Sequence, residues 1–347
     1  MFVWWTAEAF LAAPINPLSA EAPSLGEKPP SIVVEQTATP DPNAPAPAVV
    51  FVEETAFPTP DQAAEIALQQ TRESIQQTVE ASGRITILVM GIDRRPGEEF
   101  QSLTDTMMVV SLNPIDNTTS IMNVPRDFYA EIPGVYGRRR INTAFNFGYG
   151  NGGPAGGAAL AMQTVERNLA IKIDHYILVD FTAFIRSIDA IGGVDINVPQ
   201  PIYDATYPTM DYGYELFEVK AGFNHFDGET TLKYARTRHG DTDFNRSERQ
   251  QQVVLAARDK IFSLGVDQLL IQLPRLYSEV NEGVRTDLSI GDMYTLAVMA
   301  KNMPRENIKT VVLDYKYFVN YTTPDNQQVL VLINSTVAPV IAELFYD

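Results

Sequence analysis

The sequence predicts an α/β protein, a layered α/β/α sandwich around a mixed central sheet, preceded by an N-terminal proline-rich spacer. The runs 85–92 and 175–181 are almost continuously apolar, which is typical of strands covered by helices on both faces. Strand patterns alternate with helical patterns along the chain, as in layered α/β folds. Residues 14–60 hold 11 of the 23 prolines and cannot bury enough surface to fold, so they predict an extended, semi-rigid spacer.

The segments on either side of the spacer have different characters. Residues 1–13 are apolar and aromatic but include Glu8, and they are shorter than the roughly 20 residues of a membrane span. We interpret them as the remnant of a possible membrane anchor, the alternative being a disordered terminal tag. Residues 61–82 predict a lead-in helix, with Asp61 at its N-cap.

Residues 83–264 predict the main domain. The runs 106–112 and 118–124 are joined by the turn-rich NPIDN, which indicates an antiparallel hairpin. The predicted strands are 85–92, 106–112, 118–124, 175–181 and 194–198, and the predicted helices are 155–169, 181–191, 228–236 and 245–263.

Residues 265–347 predict a C-terminal α+β extension that packs on the main domain. Within it, 265–302 look helical, strands are expected near 309–319 and 328–332, and a last helix begins at about Ser335.

The net charge of −17 argues against general nucleic-acid binding, which needs a basic surface. The charge is unevenly distributed, because residues 1–82 hold eleven acids and only two cations, so a local cationic pocket remains possible. The absence of cysteine excludes disulfides, thiolate nucleophiles and cysteine-based metal sites.

Two aspartates stand next to predicted strands. Asp93 follows the run 85–92, at a strand end where α/β proteins concentrate ligand sites, and Asp105 precedes the next strand. If these strands are neighbours, both carboxylates can reach one hard cation such as Mg²⁺. The alternative is that each aspartate caps a loop, but the pair favours the metal site.

Arginines recur near the same elements. Arg126 follows a strand, although an Arg–Asp neighbour pair by itself is commonly a surface ion pair. Arg236 and Arg238 alternate by two, so they could point the same way from an extended segment. Arg246, Arg249 and Gln250 have helical spacing after Asp243 or Asn245, either of which can cap a helix whose N-terminus favours a phosphate. Together they predict a polyanion site, the alternative being a salt-bridged helix start.

The glycine-rich stretch at 147–159 contains Gly148, Gly150 and Gly153 at the spacing of a dinucleotide-binding fingerprint. No strand leads into it and no acid follows at the required distance, so we interpret it as a flexible loop that precedes the helix 155–169.

The order of motifs GIDRR, TDTMM, VPRD, INTAFNFG, DHYILVDF, IDAIGGVDINV and LKYARTRHGDTDFNRSERQQ resembles the LytR-CpsA-Psr (LCP) family of bacterial cell-wall enzymes. The resemblance extends from about Ile85 to Ser263 and rests on several separate motifs in the family's order. It implies an LCP-like catalytic domain over 83–264.

The resemblance implies an enzyme at the extracytoplasmic face of the cytoplasmic membrane, held there by a single N-terminal anchor. It would use Mg²⁺ to transfer a glycopolymer phosphate from a polyprenyl-pyrophosphate carrier to peptidoglycan, with the prenyl chain in an apolar tunnel beneath the sheet. Asp93 and Asp105 match the family's metal and catalytic aspartates, and Arg126 matches a catalytic arginine. The implied pyrophosphate-binding set is Arg95, Arg126, Arg140, Arg236, Arg238, Asp243, Arg246 and Gln250.

The sequence departs from the family at two places. Leu103 stands where an arginine is common, which puts one phosphate contact in doubt, and Arg140 stands where lysine is common. Two other functions remain open: hydrolysis of a polyprenyl pyrophosphate, and non-catalytic binding of polyprenyl lipids with an indirect regulatory role.

Overall fold

The computed structural model of the protein describes residues 83–95, 97–238, 242–265 and 280–346. The predicted anchor remnant 1–13, spacer 14–60 and lead-in helix 61–82 lie outside the described residues. Within the described ranges, none of the helices combines the length and the hydropathy that crossing a bilayer requires.

The described residues form short strands and seven helices. The strands are β1 (Ile85–Ile92), β2 (Thr104–Asn113), β3 (Thr118–Asn123), β4 (Tyr129–Glu131), β5 (Arg138–Arg140), β6 (His175–Asp180), β7 (Val194–Val198), β8 (Ile202–Pro208), β9 (Tyr214–Val219), β10 (Gly222–Phe226), β11 (Val284–Thr286), β12 (Ile308–Val312), β13 (Phe318–Thr322) and β14 (Gln328–Leu332). The helices are α1 (Ala144–Tyr149), α2 (Gly153–Leu169), α3 (Phe181–Ala190), α4 (Gly228–Arg236), α5 (Asp243–Leu264), α6 (Ile290–Asn302) and α7 (Asn334–Phe345).

The central sheet has six strands in the order β11-β6-β1-β2-β3-β12. β2 is antiparallel to both β1 and β3, whereas β6 runs parallel to β1 and β12 runs parallel to β3. The mixed sheet and the β2–β3 hairpin are therefore confirmed. Both edge strands, β11 and β12, come from the C-terminal extension, so that segment completes the sheet as well as packing on it.

Helices cover the sheet on both sides, which confirms the α/β/α sandwich. Alternate residues of β1 point to opposite faces. Leu88, Met90 and Ile92 are fully buried in the largest core cluster, together with side chains of α1, α2 and α7. On the other face, Ile85 and Ile87 pack against α6. Farther along that face, α3, α4 and α5 lie over the end of β1 and leave a cavity.

Two local predictions were wrong. Residues 265–302 are not continuously helical, because Val284–Thr286 pairs with β6 as an antiparallel edge strand; residues 266–279 lie outside the described part. The glycine-rich stretch is not a loop, because α1 occupies Ala144–Tyr149 and α2 begins at Gly153. A Cβ on Gly148 would lie 2.3 Å from the carbonyl oxygen of Gly156, so these glycines allow two helices to pack closely.

The region between β7 and α4 contains strands that the sequence pattern did not predict. β8 pairs with β9 and β10 pairs with β7, as two antiparallel two-stranded sheets. Their inward side chains form a second core with α3, α4 and α5. The β8–β9 hairpin brings Pro208 to the cavity.

Candidate active site

A cavity of about 310 Å³ lies between β1 and β2 of the sheet and the helices α3, α4 and α5. The lining changes from polar to apolar along the elements that form it, from Asp93 to Val89 along β1 and from Arg246 to Val253 and Val254 along α5. The polar lining residues are Asp93, Asp105, Thr106, Arg126, Asp180, Arg236, Arg238, Arg246 and Gln250. The apolar lining includes Val89, Met90, Met108, Val179, Phe181, Phe184, Leu232, Val253 and Val254.

A β-bulge brings the two predicted aspartates to the same cavity. Gly91 pairs with Thr106 but Ile92 pairs with Thr104, so Asp105 is the extra residue on β2. A bulge leaves its extra residue out of the ladder and redirects its side chain. Asp93 follows the last residue of β1, directly across this irregularity. β1 and β2 are neighbours in the sheet, as the predicted shared site of the two aspartates requires.

Arg126 lies beside three carboxylates. Its Nη1 donates to Asp105 Oδ1 at 2.8 Å, and its Nε lies 3.7 Å from both Asp127 Oδ2 and Asp243 Oδ1. Burial lowers the pKa of Arg126, but the hydrogen bond and charge of Asp105, with the charges of Asp243 and Asp127, outweigh burial and raise it. Arg126 is therefore held firmly in its charged form at the cavity.

Asp243 lies among three arginines at the start of α5. Its carboxylate contacts Arg238 Nη2 and Arg246 Nη2 at 3.0 Å each, in addition to Arg126. The prediction that Asp243 or Asn245 caps the helix was wrong: Thr242 is the N-cap, and its Oγ1 accepts from the backbone N–H of Asn245. This frees the Asp243 carboxylate to bind the arginines. Arg238 and Arg246 share this carboxylate with Arg126, which also pairs with Asp105, and the three arginines repel one another, so this end of the cavity favours an added anion.

The pKa values of two of these arginines are lowered. Burial lowers the pKa of Arg246 to about 10, and the charges of Arg238 and Arg126 act in the same direction against the opposing effect of Asp243. Burial also lowers the pKa of Arg238, again assisted by Arg126. A bound anion would relieve this repulsion between neighbouring cations.

Asp93 is flanked by two further arginines. Arg236 Nη2 donates to Asp93 Oδ2 at 3.3 Å, and Arg95 Nε lies 3.7 Å from Asp93 Oδ1. Arg236 is the last residue of α4, so it does not project from an extended segment as the spacing suggested. Arg236 and Arg238 nevertheless both line the cavity.

Of the three predicted side chains on α5, Arg246 and Gln250 line the cavity and Arg249 does not. Gln250 lines the cavity and donates to Thr106 Oγ1 at 2.9 Å. Arg249 instead donates to the backbone carbonyls of Tyr234 and Thr237, which holds the end of α4 against α5. Its contribution is therefore to the α4–α5 connection and not to the cavity lining.

Besides Arg249, four residues singled out in the sequence do not line the cavity, and one of them is Asp243, whose carboxylate instead binds arginines that do. Arg95 lies beside Asp93 at the edge of the cavity. Arg140 pairs at 3.2 Å with Asp127, which also lies next to Arg126. Leu103 is exposed on the surface. The sequence prediction missed Asp180, which lines the cavity, caps α3 and pairs with Arg94. Asp93 was predicted because it is an acid at the end of a buried strand, and Asp180 at the end of β6 has the same feature.

The two predicted carboxylates fit a magnesium ion that is bound together with phosphate. Across the described ranges, no group of three or more His, Asp or Glu side chains could hold a metal by itself. Mg²⁺, however, is usually held by one or two carboxylates plus substrate phosphate oxygens. Asp93 Oδ1 is buried without a hydrogen bond, and the side chain of Asp105 is 40% exposed. Both carboxylates can therefore take a cation from the cavity.

Comparisons with known proteins agree with this architecture. Residues 52–340 match the LytR_cpsA_psr family. The polyisoprenyl-teichoic acid–peptidoglycan teichoic acid transferase TagU of Oceanobacillus iheyensis is 31% identical over 245 residues, which cover 70% of this chain and 71% of that protein. The regulatory protein MsrR of Staphylococcus aureus is 32% identical over 241 residues, 69% of this chain and 67% of that protein.

This chain is also similar to a solved structure that contains a ligand. The structure of TagT bound to LIIa-WTA superposes with a TM-score of 0.60 and 25% identity, over 76% of this chain and 90% of that chain. The family match spans more than half of this sequence and includes the sheet, the cavity and the C-terminal strands. The chain belongs to the LytR-CpsA-Psr family.

Proposed function

We propose that this protein is a transferase that moves a glycopolymer phosphate from a polyprenyl-pyrophosphate carrier to peptidoglycan. The observation that carries the proposal is the division of one cavity into a cationic end and an apolar end. A polyprenyl pyrophosphate has the same division, with phosphates at one end and hydrocarbon at the other. Relatives named as teichoic acid transferases, and TagT bound to LIIa-WTA, support this substrate class.

The arginines account for binding and charge stabilisation. Arg126, Arg236, Arg238 and Arg246 would contact the pyrophosphate oxygens, where guanidinium groups can bind bidentately. The apolar side chains of β1, α3, α4 and α5 would enclose the first part of the prenyl chain. Transferred phosphoryl groups gain negative charge on their oxygens, so cations already held in place lower the barrier.

The reaction breaks one P–O bond and forms another. A peptidoglycan hydroxyl attacks the phosphorus that carries the glycopolymer, and polyprenyl phosphate leaves with the bridging oxygen. The hydroxyl proton passes to a carboxylate at the cavity, which is that of Asp93 or Asp105. Arg126 touches Asp105 at 2.8 Å, so it can orient that carboxylate while it contacts phosphate.

Magnesium dependence is part of the proposal. Asp93 and Asp105 would hold Mg²⁺, and a bound Mg²⁺ would neutralise charge on the pyrophosphate oxygens. Asp93 Oδ1, buried without a hydrogen bond, supports this assignment. Removal of Mg²⁺ with a chelator should abolish transfer, and added Mg²⁺ should restore it.

We also propose that the domain works at the extracytoplasmic face of the cell membrane, tethered by a single N-terminal anchor and the spacer 14–60. The carrier lipid and the peptidoglycan acceptor are both reached from that side. Digestion of the protein by external protease in intact protoplasts supports this location, and complete protection contradicts it.

The test is a transfer assay with full-length protein, a short glycopolymer on polyprenyl pyrophosphate, and peptidoglycan fragments. Glycopolymer joined to peptidoglycan, with release of polyprenyl phosphate, supports the transferase. Equal release without acceptor indicates a hydrolase. The name of MsrR favours a regulatory role as the second candidate; tight lipid binding without turnover, with and without Mg²⁺, would indicate that function instead.

A further inference from the structure

The β8–β9 hairpin contacts the site near Asp93. Pro208, the last residue of β8, lines the cavity. The connection that follows, residues 209–213, lies against the loop after β1. This hairpin was not predicted from the sequence, and neither the family resemblance nor the comparisons give its residues a role.

The hairpin connection contacts Arg95 in two ways. Arg95 Nη1 donates to the carbonyl oxygen of Met210 at 2.6 Å. The guanidinium of Arg95 also stacks on the ring of Tyr212, 3.5 Å from its centroid. These contacts hold the Arg95 side chain while its Nε lies 3.7 Å from Asp93.

Tyr212 is held in an unusual conformation for this contact. Its φ is 66°, in the left-handed region that aromatic residues rarely adopt. The residue is 73% exposed, so core packing does not account for its position. The Tyr212 hydroxyl donates to Glu98 Oε1 at 2.7 Å, and Glu98 Oε2 accepts from the Arg95 backbone N–H at 3.0 Å. The ring is thus connected to Arg95 through both its face and its hydroxyl.

The same hairpin also holds the second arginine of Asp93. The hydroxyl of Tyr207, a buried residue of β8, accepts from Arg236 Nη1 at 3.0 Å. The Arg236 guanidinium also lies 4.0 Å from the ring centroid of Phe181. Arg236 then reaches Asp93 Oδ2 at 3.3 Å. Both cations that flank Asp93 are therefore positioned by one hairpin.

From these contacts we infer that Tyr212 is a positioning residue of the pyrophosphate site, which holds Arg95 beside Asp93 for contact with the ligand. This inference rests on the proposed function, because it takes the ligand to be a prenyl pyrophosphate. It adds a residue that acts through Arg95 and does not itself touch the reacting atoms.

The experiment is a double-mutant cycle on binding of geranylgeranyl pyrophosphate to the full-length protein. Arg95→Ala should weaken binding by about 10-fold or more, because it removes a charged contact. Tyr212→Ala should weaken binding about 3- to 10-fold, because Arg95 loses its stacking partner. In the Arg95→Ala background, Tyr212→Ala should cause no further loss, since the two residues act as one unit.

Two matched variants separate positioning from a general structural effect. Tyr212→Phe keeps the ring over Arg95 and should bind within about twofold of the wild type. Tyr214→Ala removes a similarly exposed tyrosine from β9, at 75% exposure, and should not change binding. Melting temperatures of all variants should stay close to that of the wild type.

Equal losses from Tyr212→Ala in both backgrounds would overturn the inference, as would a Tyr212→Ala variant that binds like the wild type. The transfer assay is independent of this result. A wild-type protein that binds geranylgeranyl pyrophosphate but transfers nothing contradicts the proposed function and leaves the positioning role standing. Additive losses in a protein that does transfer contradict the positioning role alone.

Discussion

The two faces of β1 differ in packing although they belong to one strand. Leu88 and Ile92 point to one face and are fully buried in the largest core cluster. Val89 and Gly91 point to the other face and line the cavity, and Asp93 continues that series at its polar end. The strand therefore supports the fold with one set of residues and forms the site with the next.

This difference shows that apolar character alone does not separate structural from functional residues. The run ITILVMGI reads as a uniformly buried strand. The helices that cover it decide the outcome: α2 packs on one face within the largest core cluster, whereas α3, α4 and α5 leave a cavity of about 310 Å³ on the other. Substitutions on the two faces should therefore affect different measurements.

The largest effect is expected at the polar end of the cavity. Arg126→Ala should lower the transfer rate by about 100-fold or more, because it removes a cation held at the phosphate site. Asp105→Ala should have a comparable effect. Both variants should keep a near wild-type melting temperature by circular dichroism. Arg167→Ala, which breaks a surface pair with Glu131, is the control and should transfer normally. Full activity of Arg126→Ala would refute its assignment.

The packed face should respond in stability. Leu88→Ala should lower the free energy of unfolding by about 2–5 kcal/mol, because it leaves a hole in a close-packed core. Val89→Ala, one residue away, should cost less than about 1.5 kcal/mol, since its side chain borders a cavity. Urea titration measures both values, and equal costs would contradict the contrast between the faces.

Filling the apolar end of the cavity should affect ligand affinity more than folding. Val254 lines this end from α5. Val254→Phe should weaken binding of long prenyl pyrophosphates by about tenfold, because the larger side chain occupies the space for the chain. Binding of inorganic pyrophosphate, which needs only the cationic end, serves as the control and should not change. Equal weakening of both ligands would place the prenyl chain elsewhere.

The smallest effect concerns the end of the sheet that lies away from the cavity. Burial lowers the pKa of His175, but its hydrogen bond to Asp287 at 3.3 Å and the charges of Asp287, Asp292 and Asp174 outweigh burial and raise it. A raised folded-state pKa contributes stability that is fully present below the unfolded value near 6.5 and is lost as pH rises through the folded value.

The melting temperature should therefore lose this contribution between about pH 6.5 and the higher folded-state pKa, and His175→Gln should remove that part of the dependence. The pH profile of transfer should be the same in both proteins, because His175 pairs with Ile87 of β1 and not with a residue that lines the cavity. A transfer profile that shifts in His175→Gln would contradict this separation.

The sequence predicted the elements with a strong local pattern accurately. β1, β7, α4 and β14 have the predicted bounds, because a strong local pattern, turn residues and caps all favour the same structure there. It did not predict the β8–β9 hairpin or β11. The three residues of β11 have no strand pattern of their own and become a strand because β6 offers an unpaired edge.

The sequence by itself determined the α/β class, the order of the main elements and the residue types that can bind a phosphate and a cation, because each depends on local patterns and motif order. Only the tertiary structure decided which residues share the cavity. The bulge on β2 places Asp105 in the lining of the cavity that Asp93 also lines, Thr242 caps α5 and leaves Asp243 to the arginines, and Arg249 binds the backbone carbonyl of Tyr234 in α4. These outcomes depend on strand register, helix capping and packing between distant segments, which spacing along the chain does not encode.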